Sequence, residues 1–339
     1  MTEKSAKPII EPALDPDLPI IDVHHHLWPK SPVDGYPPYE VDALIADQVA
    51  SGHNVIATVY IDAHQAYRTD GPEKMRPVGE TEWVESIAQD CQKRGGVASG
   101  ICAAMATHAD MLLGEAVGEV LDAHMAASPR FRGIRFMTAF AAELPPILGA
   151  LQGGLMTQPA FSKGVAELAR RDLSLDAWLL QDQLPELLAL ARALPDAKII
   201  LDHLGGPRGT GRFAGKAEEA FVEWKRDMTE IATCPNVTLK LGGVNMGQTG
   251  LAVLEGPSVA TSDALVERQR RHFLTAIDIF GPSRCMFESN APVDLKHASY
   301  SVEWNAFKRM TADMSAADRY ELFAGTAIRA YRIDVPARA

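Results

Sequence analysis

Residues 19–28 read Pro-Ile-Ile-Asp-Val-His-His-His-Leu-Trp, a short apolar run that ends in three consecutive histidines. A run of this length and composition is typical of a buried β-strand. Because side chains alternate along a strand, His24 and His26 are expected on one face and His25 on the other. Two imidazoles at the end of a strand can hold a divalent ion or bind a substrate oxyanion. The alternative is a pair of core histidines with satisfied hydrogen bonds.

Further apolar runs follow along the chain and alternate with longer amphipathic stretches. The predicted strands are 19–24, 54–61, 97–103, 131–136, 173–179, 197–202, 237–241 and 284–288. The predicted helices are 41–52, 80–94, 111–126, 160–171, 183–194, 215–233, 261–280 and 302–331. Eight strand–helix units favour an α/β fold of the (β/α)8 TIM-barrel type. We expect a single domain over 19–335, preceded by an extension at 1–18, although periodicity alone leaves an open doubly wound sheet possible.

Two later strands also end in polar side chains. Leu201-Asp202-His203 ends the sixth predicted strand, and Glu288-Ser289-Asn290 ends the eighth. The carboxyl ends of barrel strands meet at one rim, so His203, Glu288 and Asn290 are expected near the histidine run. His25 is expected to be structural.

Composition excludes several classes of function. The chain of 339 residues carries a formal net charge of −11, which argues against binding to a phosphate backbone. It has neither an N-terminal apolar leader segment nor an apolar run of eighteen residues, so we expect neither secretion nor a membrane span. Four cysteines without a CxxC pair fit a reducing, cytoplasmic setting. No GxGxxG or P-loop motif follows a predicted strand, which disfavours a nucleotide.

Several segments together carry a family resemblance. They are IDVHHHLW (21–28), GPEKMRPVGETEWV (71–84), FRGIRF (131–136), LDHLGGP (201–207), LKLGG (239–243), MFESNAPVD (286–294), SYSVEWNAFKR (299–309) and LFAGTAIRAYRI (322–333). Over nearly its whole length the chain resembles the lactonase-like, amidohydrolase-2 branch of the amidohydrolase superfamily. That branch includes 2-pyrone-4,6-dicarboxylate lactonases and sugar lactonases. The resemblance implies a barrel hydrolase.

The resemblance also implies roles for individual positions. The family pattern has two histidines on strand one, here His24 and His26, and one after strand six, here His203. These three would be the metal ligands if a metal such as zinc is bound, and the sequence leaves open whether one is. Gln181 stands where the pattern has a histidine after strand five, and Asn290 where it has an aspartate after strand eight. An amide is a poor metal ligand and no base near neutral pH.

The loss of that aspartate raises the question of which group activates water. Glu288 and Asp202 are the nearest candidates, and strand alternation favours Glu288 as a member of the catalytic set with His24, His26, His203 and Asn290. The alternative for Glu288 is a buried charge paired with Arg135 or Lys240.

Polar residues near other strand ends are candidates for substrate binding. They are His64, Tyr67, Arg68, His108, Arg135, Gln181 and Lys240. Arg135 and Lys240 could instead form internal ion pairs, and His108 could simply begin a helix. The other histidines, His53, His124, His272 and His297, are expected at the surface.

The sequence leaves three functions open. The first is hydrolysis of a small lactone in a catabolic pathway, the second is a non-hydrolytic lyase reaction on the same barrel, and the third is small-molecule binding without turnover. The partner expected is a small-molecule substrate, with no nucleic acid or membrane, and a homodimer is possible on general grounds. Specificity is expected to lie in the loops at 29–39, 63–78 and 136–160.

Overall fold

Eight parallel strands pair with one another in chain order in the computed structural model, which describes residues 9–31, 35–143, 152–253 and 260–335. The strands are β1 (Ile20–His25), β2 (Val55–Ile61), β3 (Ala104–Thr107), β4 (Phe131–Met137), β5 (Ser174–Trp178), β6 (Lys198–Leu201), β7 (Val237–Leu241) and β8 (Cys285–Phe287). The two ends of the sheet meet where His26 donates its backbone N–H to the carbonyl of Ala291 at 2.7 Å. The predicted (β/α)8 barrel is confirmed.

Helices follow the strands and cover the outside of the barrel. They are α1 (Val41–Ser51), α2 (Val78–Arg94), α3 (Gly118–Ala127), α4 (Pro159–Arg170), α5 (Leu184–Ala193), α6 (Ala217–Ala232), α7 (Ser262–Phe280), α8 (Tyr300–Met310), α9 (Ala316–Tyr320) and α10 (Thr326–Tyr331). None of the helices described has the length and apolar character that a membrane span requires. The predicted helix at 302–331 is divided among α8, α9, a π-helical turn at Glu321–Gly325 and α10.

The prediction for the third strand is wrong. Residues 97–103 do not form a strand, because Gly96–Gly100 is a 3-10 helix and β3 begins at Ala104. Gly100 packs so closely on the backbone of Ile56 that any side chain there would overlap the Ile56 carbonyl oxygen. The alanine-rich sequence of β3 has little intrinsic strand preference, and pairing with β2 and β4 overrides it.

The barrel interior is apolar at its lower end. Ile21, Ala57 and Met286 pack there with Tyr331 and Ile333 from the end of the chain, all of them buried. The C-terminal segment therefore closes the bottom of the barrel. Polar side chains accumulate toward the opposite end, where barrel enzymes place their active sites.

The predicted extension at 1–18 lies partly outside the described residues, and its separation from the barrel stays a prediction. Glu11 donates its backbone N–H to Ser301 Oγ at 3.1 Å, and Leu14 donates its own to Asn305 Oδ1 at 2.9 Å. The described part of this segment thus packs along α8.

Candidate active site

A cavity of about 340 Å³ opens at the carboxyl ends of the strands. Its lining is His26, Trp28, Tyr36, Asp62, Ala63, His64, Arg135, Met137, Trp178, His203, Met246, Gly247, Gln248, Asn290, Val293, Lys296 and His297. Five of the predicted site residues are therefore at its surface: His26, His64, Arg135, His203 and Asn290. Parts of two loops expected to set specificity, residues 32–34 and 144–151, lie outside the described residues.

The three histidines at the end of β1 face the two sides that were predicted for them. Nε2 of His24 lies 3.3 Å from Nε2 of His26, whereas His25 turns away and contacts Thr58 Oγ1 at 2.9 Å. Pairing between β1 and β2 shifts register between Asp22 and His25, which brings His24 inward although Val23 also packs in the interior. The third histidine, His203, has its ring centroid 4.6 Å from that of His24.

Glu288 connects two of these histidines from below. Its Oε1 accepts hydrogen bonds from His203 Nδ1 at 2.7 Å and from the His203 backbone N–H at 3.2 Å. Its Oε2 lies 2.9 Å from His24 Nδ1. Glu288 is fully buried and does not line the cavity, so it can orient His203 but does not itself face a substrate.

The alternative for Glu288, a buried charge paired with Arg135 or Lys240, holds in its burial only, because the contacts of Glu288 are with His24 and His203. The Lys240 ammonium lies 2.9 Å from both Asp176 and Asp202 and donates to His24 Nδ1 at 3.2 Å. Burial lowers the pKa of Lys240, but these two carboxylates outweigh burial and raise it above its usual value. Lys240 is thus a buried cation beneath the pocket.

Burial favours the neutral form of His24 and His26. It lowers the pKa of His24 well below the usual value, and the nearby Lys240 lowers it further. Burial and the Arg135 guanidinium lower the pKa of His26 to about 3. His26 Nδ1 donates to the carbonyl of Ile61 at 2.9 Å, so its Nε2 carries the lone pair.

His24, Asp202 and His203 fit a divalent cation. Each offers a ligand atom, and these atoms all lie within 4.8 Å of one another. Asp202 Oδ2 and Glu288 Oε2 are buried and have no hydrogen-bond donor among the described residues, whereas Asp202 Oδ1 is paired with the Lys240 ammonium. Neutral imidazole and carboxylate are the ligands that zinc takes in catalytic sites.

The opposite wall of the cavity carries a guanidinium. Arg135 is 7% exposed and lies 5.1 Å from the ring centroid of Trp178. The nearest carboxylate is that of Asp62, at 4.0 Å, and Arg135 Nε has no hydrogen-bond partner in the described part of the chain. A buried guanidinium with unused donors suits an anionic group of a ligand.

The two positions that depart from the family pattern differ in placement. The Gln181 amide donates to the Ala220 carbonyl at 2.9 Å and accepts from the Arg208 backbone at 3.1 Å, so it faces away from the cavity. Trp178 is the β5 residue at the cavity wall. Asn290 does line the cavity, and its Nδ2 donates to Asp294 Oδ1 at 2.8 Å.

The remaining candidates lie at or beyond the edge of the cavity. Tyr67 donates its hydroxyl to Asp62 Oδ1 at 3.3 Å, and Arg68 pairs with Glu82 at the exposed surface. The His108 ring lies 5.5 Å from that of His64.

The expected surface placement of His124 and His53 is wrong, because both are buried. His124 Nδ1 lies 2.7 Å from Thr81 Oγ1, and its Nε2 lies 3.1 Å from the His108 carbonyl. His53 Nδ1 lies 3.0 Å from Lys308 Nζ. In each case tertiary hydrogen bonds offset the desolvation of the ring.

Sequence reasoning missed Glu80, which is fully buried beside Asp62. Its segment contributes to the family resemblance, but no sequence spacing pairs a residue of the first turn of α2 with the end of β2. The sequence signal that could have identified Glu80 is a charged residue among the buried residues at the start of α2.

Comparison with known proteins agrees with this architecture. The amidohydrolase family model matches residues 21–333. An uncharacterised protein of Sinorhizobium fredii is 33% identical over 94% of this chain and 99% of its own length. An L-fucono-1,5-lactonase of Burkholderia ambifaria is 29% identical over 93% of this chain and 96% of its own length.

A crystal structure of an amidohydrolase from Burkholderia multivorans with bound zinc superimposes with a TM-score of 0.71 at 24% identity, covering 93% of this chain and 99% of the other. At that identity the superposition establishes the fold alone. The family model, in contrast, spans the whole barrel, and the histidines, carboxylates and cavity described above lie within it. The chain therefore belongs to the amidohydrolase family and is a hydrolase of that superfamily.

Proposed function

We propose that this protein hydrolyses a small lactone that carries an anionic or hydroxyl substituent. The observation that carries the proposal is the contact between His203 and Glu288, which leaves the second ring nitrogen of His203 free at a cavity whose opposite wall holds Arg135. The L-fucono-1,5-lactonase among the relatives supports a lactone as the substrate class.

The reaction needs a water, a proton acceptor and a proton donor. Glu288 accepts from His203 Nδ1, so Nε2 of His203 has a lone pair that can take a proton from water as the water oxygen attacks the lactone carbonyl carbon. The same nitrogen then returns the proton to the ring oxygen as the carbon–oxygen bond breaks. The product is an open-chain hydroxy acid.

Other residues of the cavity position the substrate. Arg135 and His64 would bind an anionic substituent, and the Trp178 ring beside Arg135 would exclude water from that charge pair. Glu288 acts as a positioning residue, because it contacts His203 rather than the cavity.

A divalent ion, where bound, would be held by His24, Asp202 and His203, and it would polarise the carbonyl and acidify water. The Nε2 lone pair of His203 can bind the ion or accept the proton, but not both at once. Metal analysis of protein purified without chelator separates these two forms of the mechanism. Activity that survives chelation assigns the proton transfer to His203.

The test is turnover of a panel of sugar lactones and carboxylated lactones in ¹⁸O-labelled water. We expect one solvent oxygen in the new carboxylate and, for His203→Asn, a fall in kcat/KM of at least ~100-fold. The matched control is His272→Asn, whose ring packs on Phe221 and Trp224 away from the cavity. Unchanged turnover in His203→Asn would refute the site, and product without the label would refute hydrolysis.

A further inference from the structure

A second group of ligand-type side chains lies on the other side of the cavity. Asp62 directly follows β2, His64 comes two residues later, and His108 directly follows β3. Because β2 and β3 are neighbours in the barrel, these three side chains meet, with one ligand atom of each within 4.8 Å of the others. They share no residue with the group formed by His24, Asp202 and His203.

We propose that Asp62, His64 and His108 form a second divalent-cation site at the rim of the cavity. Two imidazoles and one carboxylate form the ligand set of many catalytic zinc sites, which keep one position open for water or substrate. The His64 side chain is 44% exposed and lines the cavity, so the open position would face the substrate.

Each ring or carboxylate of the group is held by an outer partner. The His108 ring stacks on Phe136 with centroids 5.6 Å apart, which fixes the plane of the ring. Outer partners of this kind orient metal ligands.

Asp62 presents an available carboxylate oxygen. Its Oδ1 accepts from the His64 backbone and from the Tyr67 hydroxyl, both at 3.3 Å. Its Oδ2 is buried and accepts no hydrogen bond from the described residues, and it lies 3.7 Å from His64 Nδ1. A buried carboxylate oxygen in this position is costly unless a cation or a proton compensates it.

Glu80 holds the turn that carries His64. Its Oε1 accepts from the backbone N–H groups of Ala63 at 2.9 Å and Gln65 at 3.0 Å, which stabilises the left-handed conformation of His64 at φ +56°. Glu80 therefore fixes the turn from which the His64 side chain reaches the rim of the cavity.

Arg135 is the opposing charge at this site. Its Nη1 lies 4.0 Å from Asp62 Oδ2, so it competes with a cation for the same carboxylate. The site should therefore bind zinc more weakly than the same ligands would without Arg135. Removing the guanidinium should tighten zinc binding at this site, which a purely structural role of the three residues would not produce.

The experiment counts zinc and cobalt bound by the full chain in equilibrium dialysis. We expect two equivalents for the wild type, one for His108→Asn and for His64→Asn, and one for His24→Asn. The cobalt-loaded wild type should show two visible absorption bands, and the cobalt-loaded His108→Asn variant should lack one of them. Arg135→Met should lower the dissociation constant of the weaker site by at least ~10-fold, and His272→Asn should keep both equivalents.

The proposal is overturned if His108→Asn and His64→Asn both bind as much metal as the wild type. It is also overturned if the wild type binds a single equivalent that His24→Asn abolishes. Metal counting needs no substrate, so a protein inactive on lactones that still binds two equivalents would refute the proposed function and leave this site standing.

Discussion

At the scale of single residues, Asn290 and Asp294 act as a pair. Asn290 takes the place of the aspartate in the family pattern, and its amide donates to Asp294 Oδ1 while Asp294 Oδ2 accepts from the Asn245 backbone. Burial raises the pKa of Asp294 to about 6, although these hydrogen bonds oppose the shift. An aspartate at 290 would put two carboxylates in contact. The asparagine at 290 avoids this repulsion because its amide can donate a hydrogen bond to Asp294.

We therefore expect Asn290→Asp to be destabilised, and more so at higher pH. In the folded variant the carboxyl groups at positions 290 and 294 must share one proton, which raises the pKa of the pair above its value in the unfolded chain. The stability that this proton provides is lost as the pH rises through the raised pKa. Relative to the wild type, urea unfolding should show a loss of about 1–3 kcal/mol at pH 8 and a smaller loss at pH 5.

Asn290→Ala is the control for this pair, because it removes the hydrogen bond without adding a charge. Because that hydrogen bond holds the pKa of Asp294 down, its loss of stability should also grow from pH 5 to pH 8, but by less than that of Asn290→Asp. An Asn290→Asp protein as stable as the wild type at pH 8 would contradict the pairing.

At the scale of elements, the end of β7 explains the Leu239–Gly243 motif. Gly243 has φ +64°, and a side chain there would overlap the His203 ring at Nδ1, the atom that donates to Glu288. A side chain on Gly242 would overlap the Glu288 backbone carbonyl. The two glycines let the loop pass directly over the contact between His203 and Glu288.

Gly243→Ala should displace His203 and lower kcat/KM by at least ~100-fold on any substrate the wild type turns over, with a stability loss of about 1–3 kcal/mol. Gly215→Ala is the matched control, because Gly215 also has a left-handed conformation, at φ +74°, but has no atom within 4 Å of the added methyl. It carries the backbone strain without the overlap. Equal activity losses in the two variants would show that strain rather than displacement is responsible.

At the scale of the whole molecule, several histidines are buried in neutral form away from the cavity. Burial lowers the pKa of His25 and of His124 to about 3. A histidine of this kind binds its proton more readily in the unfolded chain, so its contribution to stability is complete above pH 6.5 and is lost as the pH falls toward 3. Asp22, whose pKa burial raises to about 6, has the opposite dependence.

A single-residue comparison separates these opposing contributions. The stability advantage of the wild type over His124→Gln should shrink by about 2 kcal/mol between pH 7 and pH 5 in urea unfolding. Thr81→Ala removes a hydrogen-bond partner of His124 without removing the titrating group, so its deficit should stay nearly constant. A constant gap for His124→Gln would mean that His124 is not buried in neutral form.

The order and number of the strands follow from the sequence because hydrophobic periodicity is local. Parallel strand ends share one rim, so the same reading brings His24, His26, His203 and Asn290 together. Where local preference and tertiary pairing disagree, the prediction fails. Residues 97–103 have the composition of a strand, yet the close approach of Gly100 to Ile56 makes them a turn.

What the sequence determined by itself was the barrel, its rim and the histidines on it. Only the tertiary structure decided their partners. Glu288 contacts His203, 85 positions away in the chain, and Lys240 contacts Asp176, 64 positions away. The Arg208 backbone N–H donates to the side-chain oxygen of Gln181. The physical reason is that periodicity fixes which face a side chain takes. Its partner depends instead on the register and packing of elements that are distant in the chain.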